Sequence, residues 1–152
     1  MRYRDGGNVH KDFHLATNTT IRYVFDHYGR DFLRELFRRT AQQVYRDIYE
    51  SLKRGDAAPL REHWEYYYER EGGQYAITEL QNGFAFEVLD CPAVRHLKER
   101  GVEVTQDFYL QDILLNDAWS EGTPFWIDTK ILGEGHYRMT VSRKRNKEKA
   151  HD

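Results

Sequence analysis

One sulfur and a small set of imidazole, amide and carboxyl groups carry whatever chemistry this chain performs. Cys91 is the single cysteine; it closes an apolar run and stands directly before Pro92. Proline favours the first position of a helix, so the spacing predicts Cys91 at a helix N-cap. Unpaired backbone N–H groups and the positive end of the helix dipole there favour thiolate, the nucleophilic form of cysteine. The same corner also suits a small, buried, inert residue. His96 follows five residues later and is a candidate base for Cys91. In a regular helix, however, those five steps turn the two side chains about 140° apart.

Two further clusters combine polar groups with an apolar face. His14 and Asn18 fall one turn apart on the same face as Ile21, Phe25 and Tyr28. An imidazole and an amide set in such a stripe need partners or a wet recess; the alternative is a core histidine bonded to a backbone carbonyl. Further on, Tyr109, Asp112 and Asn116 fall within roughly a 60° arc of one helix, flanked by Phe108, Ile113 and Trp119. Three polar groups inside an apolar surface read as the wall of a binding pocket, or as a helix bonded to a neighbouring loop. His10 and His14 have the i, i+4 spacing of helical metal ligands, but no carboxylate–histidine framework completes a site, so no metal is expected. The chain has no phosphate loop, dinucleotide fingerprint, Gly-x-Ser-x-Gly or His-Glu-x-x-His, so no cofactor is expected either.

These residues must be held by elements that the patterning outlines. A helix is expected over 12–28, stopped by Gly29. A longer one is expected over 31–53, with Leu33, Leu36, Phe37, Thr40, Val44, Ile48 and Leu52 as its buried stripe and a length of about 35 Å. A third opens at Pro59 and lines up Leu60, Trp64, Tyr67, Tyr68 and Glu71 before Gly72-Gly73. The period then changes: 75–80 and 84–89 alternate around Gln81-Asn82-Gly83, a strong hairpin signal. Short helices follow over 92–101 and 106–120, and a second hairpin spans 124–143 around Gly133-Glu134-Gly135. Segregated helices and hairpins predict an α+β fold: a four-stranded antiparallel sheet of two hairpins packed on helices, in the order three helices, hairpin, two helices, hairpin.

Length and composition bound the rest. The chain has 152 residues, 39% hydrophobic and 32% charged, which suits one soluble domain with a real core. Aromatic residues reach 14%, enough for a ring-built core or a ring-lined pocket. The formal charge is −2, but residues 143–149 carry five bases and one acid. We therefore expect a single domain over 1–142, acidic overall, and a basic, solvated tail over 143–152. An acidic body argues against nucleic acid as partner. The chain has no apolar run long enough to span a membrane and does not open on a secretory signal. With a lone cysteine, the expected place is the cytoplasm.

The run Asp12-Phe13-His14, Tyr28-Gly29, Glu71-Gly72-Gly73, Cys91-Pro92-Ala93, His96-Leu97, Asp107-Phe108 and Gly122-Thr123 resembles, in the same order, the L-2-amino-thiazoline-4-carboxylic acid hydrolase family. The resemblance implies a bacterial protein that opens a cyclic amidine-like ring with water, with Cys91 as nucleophile and His14 and His96 as acid–base groups. Where family members often carry further cysteines, this chain has Tyr109 and Tyr137. The element order is also similar to 4-vinyl-reductase and TRAPP-like domains, which hold small ligands or dimerise.

Two functions are therefore expected. One is a small hydrolase acting on a C–N or C–S bond, with Asn18, Tyr109, Asp112 and Asn116 orienting the substrate and Asp112 complementing an amidinium. The other is a non-catalytic ligand-binding or scaffold domain with an aromatic pocket, as a homodimer through its long helices. The implied partner in both is a small molecule.

Overall fold

The structure, a computed structural model, describes residues 12–145. Its frame is two hairpins joined side by side. Strands β1 (Gln74–Leu80) and β2 (Gly83–Asp90) form the first; β3 (Phe125–Gly133) and β4 (His136–Arg143) form the second. The sheet order is β1-β2-β4-β3, antiparallel throughout, so β4 sits between β2 and β3. Alternation decides which face is covered. Phe84, Phe86 and Val88 of β2, Phe125 and Ile127 of β3, and Tyr137, Met139 and Val141 of β4 are buried on one side. The other side carries Glu87, Arg138, Trp126, Asp128 and Lys130, and remains open to solvent or nearly so.

The first hairpin differs in detail from the expected Asn-Gly turn. The turn residues are Gln81 and Asn82, and both keep negative φ, so this is not the primed turn that Asn-Gly favours. Gly83 instead opens β2 with φ 155°, and a Cβ there would lie 1.9 Å from the Val141 carbonyl oxygen. The glycine is required by the close approach of β4.

Helices cover the inner face. Helix α1 (Asp12–Arg39) is two helices merged across Gly29, whose φ of 80° and ψ of 174° break the helical path. The uninterrupted helix expected over 31–53 does not form. A π-helical turn at Thr40–Val44 and an irregular Tyr45 separate α1 from α2 (Arg46–Lys53). The wider turn rotates everything after it. Leu33 and Leu52 are buried as expected, but Leu36 and Val44 are exposed and Ala41 turns inward. The turn also leaves the Ala41 carbonyl free to accept the indole N–H of Trp119 at 3.1 Å.

Helix α3 (Ala58–Arg70) starts with Pro59 in its first turn. Helix α4 (Pro92–Glu99) follows β2 directly. A 3₁₀ turn at Gln106–Tyr109 leads into α5 (Leu110–Ser120). Ile21 and Leu33, from the two halves of α1, pack with Leu110 and Leu114 of α5. The expected α+β class and element order are those observed.

The basic segment begins inside the fold. Arg143 ends β4 and donates to the Gly55 carbonyl at 2.6 Å. Lys144 Nζ donates to the carbonyls of Ser120 and Thr123 at the end of α5. The remainder of the expected tail, 146–152, and His10 lie outside the described residues. Among the described residues, no helix is long and apolar enough to cross a membrane.

Candidate functional site

Cys91 occupies the N-cap of α4, with extended backbone and Pro92 at the helix start. Its N–H donates to the Gly135 carbonyl at 3.1 Å, tying the helix start to the β3–β4 turn. The sulfur makes no capping hydrogen bond to the helix, but the backbone N–H groups of Val94 and Ala93 favour thiolate. Burial outweighs them. Cys91 is 3% exposed, and desolvation pushes its thiol up to about 11, with the nearby Asp112 carboxyl adding to the rise. The expected ionised sulfur is therefore a neutral thiol at physiological pH. The helix end acts in the expected direction, but the dry surroundings decide the sign.

Tyrosines supply those surroundings. Tyr137 Oη donates to Cys91 Sγ at 3.8 Å, and Tyr137 is itself paired with Tyr68 through a short hydroxyl–hydroxyl bond. Tyr109 stands edge-on to Tyr137, with centroids 5.9 Å apart, and its hydroxyl accepts the Gly135 N–H at 2.9 Å. Tyr67 meets Tyr68 edge-on at 4.9 Å. Burial raises all four phenols above their ordinary range, so each is a neutral hydroxyl.

Asp112 lies among them. Its carboxyl acts electrostatically on Cys91, Tyr67, Tyr68, Tyr109 and Tyr137. Asp112 is half-buried as a residue, and surrounding protein desolvates its carboxyl enough to push it up to about 7. None of its oxygens is bonded to a described residue.

The histidines make a contact of their own. His14 and His96 face each other with centroids 6.1 Å apart. Burial lowers His14 below the usual imidazole range; Glu71 opposes that shift and His96 adds to it. Among the described residues, Asn18 Oδ1, His96 Nε2 and Thr105 Oγ1 are buried without a hydrogen-bond partner, as is Glu71 Oε1, which is ion-paired with Arg70 at 4.0 Å. Tyr67 links the two groups, since it lies within electrostatic reach of Cys91, Asp112 and Glu71 together.

To the group around Cys91 the residues Tyr109 and Asp112 thus belong, and His14 and His96 form a second buried pair near Glu71, with Asn18 buried one turn further along α1. Asn116 belongs to neither. Its side-chain amide donates to Thr129 Oγ1 at 2.8 Å and ties α5 to β3, while its backbone carbonyl accepts the Ser120 hydroxyl within the helix. The residue expected to orient a ligand is here held to the sheet. Tyr67, Tyr68 and Glu71 belong to these groups although sequence reasoning left them in a core stripe. The signal was Glu71, an acid aligned with rings.

Two surface depressions lie elsewhere. One of about 250 Å³ is bordered by Asp90, Arg95, Lys98 and Glu134, which pair among themselves. One of about 650 Å³ lies beside Trp126 and Lys144, where the ammonium is already bonded to two carbonyls. Neither includes Cys91 or Asp112, and neither brings together groups with altered chemistry. Among the described residues, no three His, Cys, Asp or Glu side chains are arranged to hold a metal ion. Comparison of the chain with family models, with curated proteins and with solved structures finds no match.

Proposed function

We propose that this domain binds a small cationic molecule in the recess lined by Tyr67, Tyr68, Tyr109, Tyr137 and Asp112. The observation that carries this reading is Asp112: a desolvated carboxyl with no bonded partner among the described residues, within electrostatic reach of four buried tyrosines. Rings attract a cation through their quadrupole, and a lone carboxylate supplies its counter-charge. Cys91 then serves as packing, held by Tyr137.

The test is thermal shift and calorimetric binding of acetamidinium and butylammonium against neutral acetamide. The cations are expected to raise Tm and the neutral amide to do nothing, with Asp112→Asn erasing the difference. Equal responses to cation and amide, or an unchanged response in Asp112→Asn, would overturn the reading.

A second reading is hydrolysis of a cyclic amidine or thiazoline-like metabolite through Cys91, with His14 or His96 moving the proton. The place of Cys91 at the start of α4 favours it, and so does the family resemblance. It requires the thiol to ionise once substrate is bound. Unchanged turnover of a thiazoline panel by Cys91→Ala would remove it. Both readings are compatible with a cytoplasmic protein. A homodimer would form through the exposed Tyr28, Phe32 and Leu36 of α1, and a monomer in sedimentation would dismiss it.

A further inference from the structure

The break at Gly29, with φ 80° and ψ 174°, divides α1 into two halves. A Cβ added there would meet nothing within 4 Å, so the break stands in open space. The halves are held differently. The second is fixed by Leu33, which is fully buried, and by Arg38, whose Nε reaches Glu121 Oε2 at 2.9 Å. The first buries His14, Asn18 and Ile21. Ile21 packs with Leu110 and Leu114 of α5, but the other two are polar and poorly served. Asn18 Oδ1 has no hydrogen-bond partner among the described residues. His14 stands 6.1 Å, centroid to centroid, from His96 of α4, and the two are 6% and 7% exposed. His96 Nε2 is buried and unpaired, a bare donor or a bare acceptor in either tautomer.

Two imidazoles this close and this dry fit together as neutral rings. A proton on His14 is opposed by burial and by His96. Glu71, at the end of α3, favours that proton, but its carboxylate is shared with Arg70 at 4.0 Å. Asp12 and Arg100 pair across the same seam at 3.4 Å and offset each other's charge. Arg95 and Lys98 of α4 pair elsewhere, with Asp90 and Glu134, and Glu99 is exposed. The 3₁₀ turn and α5 also pack against α1, and their acids, Asp107, Asp112 and Asp117, are not among the charges that act on His14.

We propose that residues 12–28 form a flap, hinged at Gly29 and released by acid through the His14–His96 contact, which opens the seam between α1 and α4 while the sheet and α5 stay folded. Release gives water to His14, Asn18 and His96, and it bares apolar surface, because Leu15 packs against the main core. The sign follows from His14. Closed, it sits below the ordinary 6.5; opened, it returns there. Below about pH 6.5 opening therefore takes up a proton and becomes easier as pH falls, by up to about tenfold per pH unit.

The test is hydrogen exchange of the full chain, read by mass spectrometry at pH 7.0 and pH 5.0 and corrected for the intrinsic pH dependence of exchange. Protection over 13–27 is expected to fall about tenfold at the lower pH, while 31–39, α5 and the strands lose none. His14→Phe, which keeps a ring but has no proton to gain, should abolish the fall. The pH comparison on the unaltered protein stands even if that variant fails to fold. Protection kept over 13–27, lost alike throughout the chain, or lost over 13–27 equally in His14→Phe overturns the flap.

Discussion

The hydroxyl of Tyr137 donates to the sulfur of Cys91 across 3.8 Å, and the hydroxyl of Tyr68 completes the chain behind it. This pairing joins β4, α3 and the start of α4 in one buried polar contact, and it accompanies a thiol held at about 11.

That thiol is expected to resist alkylation. With native protein at pH 7.5, iodoacetamide or a disulfide reagent should label Cys91 far more slowly than an unfolded control, with no fast phase. The rate should climb only towards pH 10–11. A fast, saturating reaction at neutral pH would show an ionised, open sulfur and restore the nucleophile.

Asp112 makes stability fall as pH rises. Unfolded, its carboxyl releases a proton near 3.8; folded, it keeps the proton until about 7. Between those values the folded state binds more protons, so stability declines across that interval and levels off above it. The full effect is on the order of 2–4 kcal/mol. Asp112→Asn should remove the decline, and denaturant titrations at pH 5 and pH 8 measure it. Equal pH slopes for both proteins would contradict the desolvated carboxyl.

The same titration controls ligand binding with the opposite sign. A cation needs the ionised carboxylate, so affinity for butylammonium should increase from pH 6 to pH 8 and flatten above. Calorimetry across that range, with Asp112→Asn as the flat control, measures it.

The two hydroxyls of Tyr68 and Tyr137 should behave as a unit. Either Tyr68→Phe or Tyr137→Phe leaves the other buried hydroxyl short of a partner, at a cost of about 1–2 kcal/mol. The double variant should lose less than the sum of the two. A double-mutant cycle in urea reads the coupling, and simple additivity would deny it.

Gly83→Ala should disrupt the centre of the sheet, because its Cβ would meet the Val141 carbonyl at 1.9 Å. A loss of about 2 kcal/mol or more is expected, seen as a lower urea midpoint. Gly29→Ala meets nothing within 4 Å, so its loss of about 1–3 kcal/mol should come from the backbone alone, because φ 80° with ψ 174° is a conformation essentially reserved for glycine.

Much of the fold was legible because local signals were strong. Pro59, Pro92 and the glycines after each helix marked its ends, and alternation marked all four strands. The π turn was not legible: Thr40, Val44 and Ile48 fit an ideal stripe, and only the demand of Trp119 for the Ala41 carbonyl shows why the stripe breaks. The pairing of β2 with β4 joins residues far apart in sequence, so spacing alone could not fix it. At the site, the N-cap position of Cys91 followed from Pro92. The sign of its ionisation did not, because the packing that dries it and the Asp112 carboxyl that opposes it arrive from distant elements, and they outweigh the Tyr137 hydroxyl that favours thiolate. Asn116 and Asp112 share one helical face in sequence, and only Thr129 separates a clamp from a lone carboxyl.

Tyr137 pairs with Val88 on one side and Ile131 on the other. Its main chain cannot swing aside without splitting the sheet along both seams. A guest molecule that reached Tyr137 would therefore meet a fixed floor, and adjustment would fall to the helices over it. Amide exchange would register that asymmetry, with slow protons beneath the recess and faster ones in the helices over it.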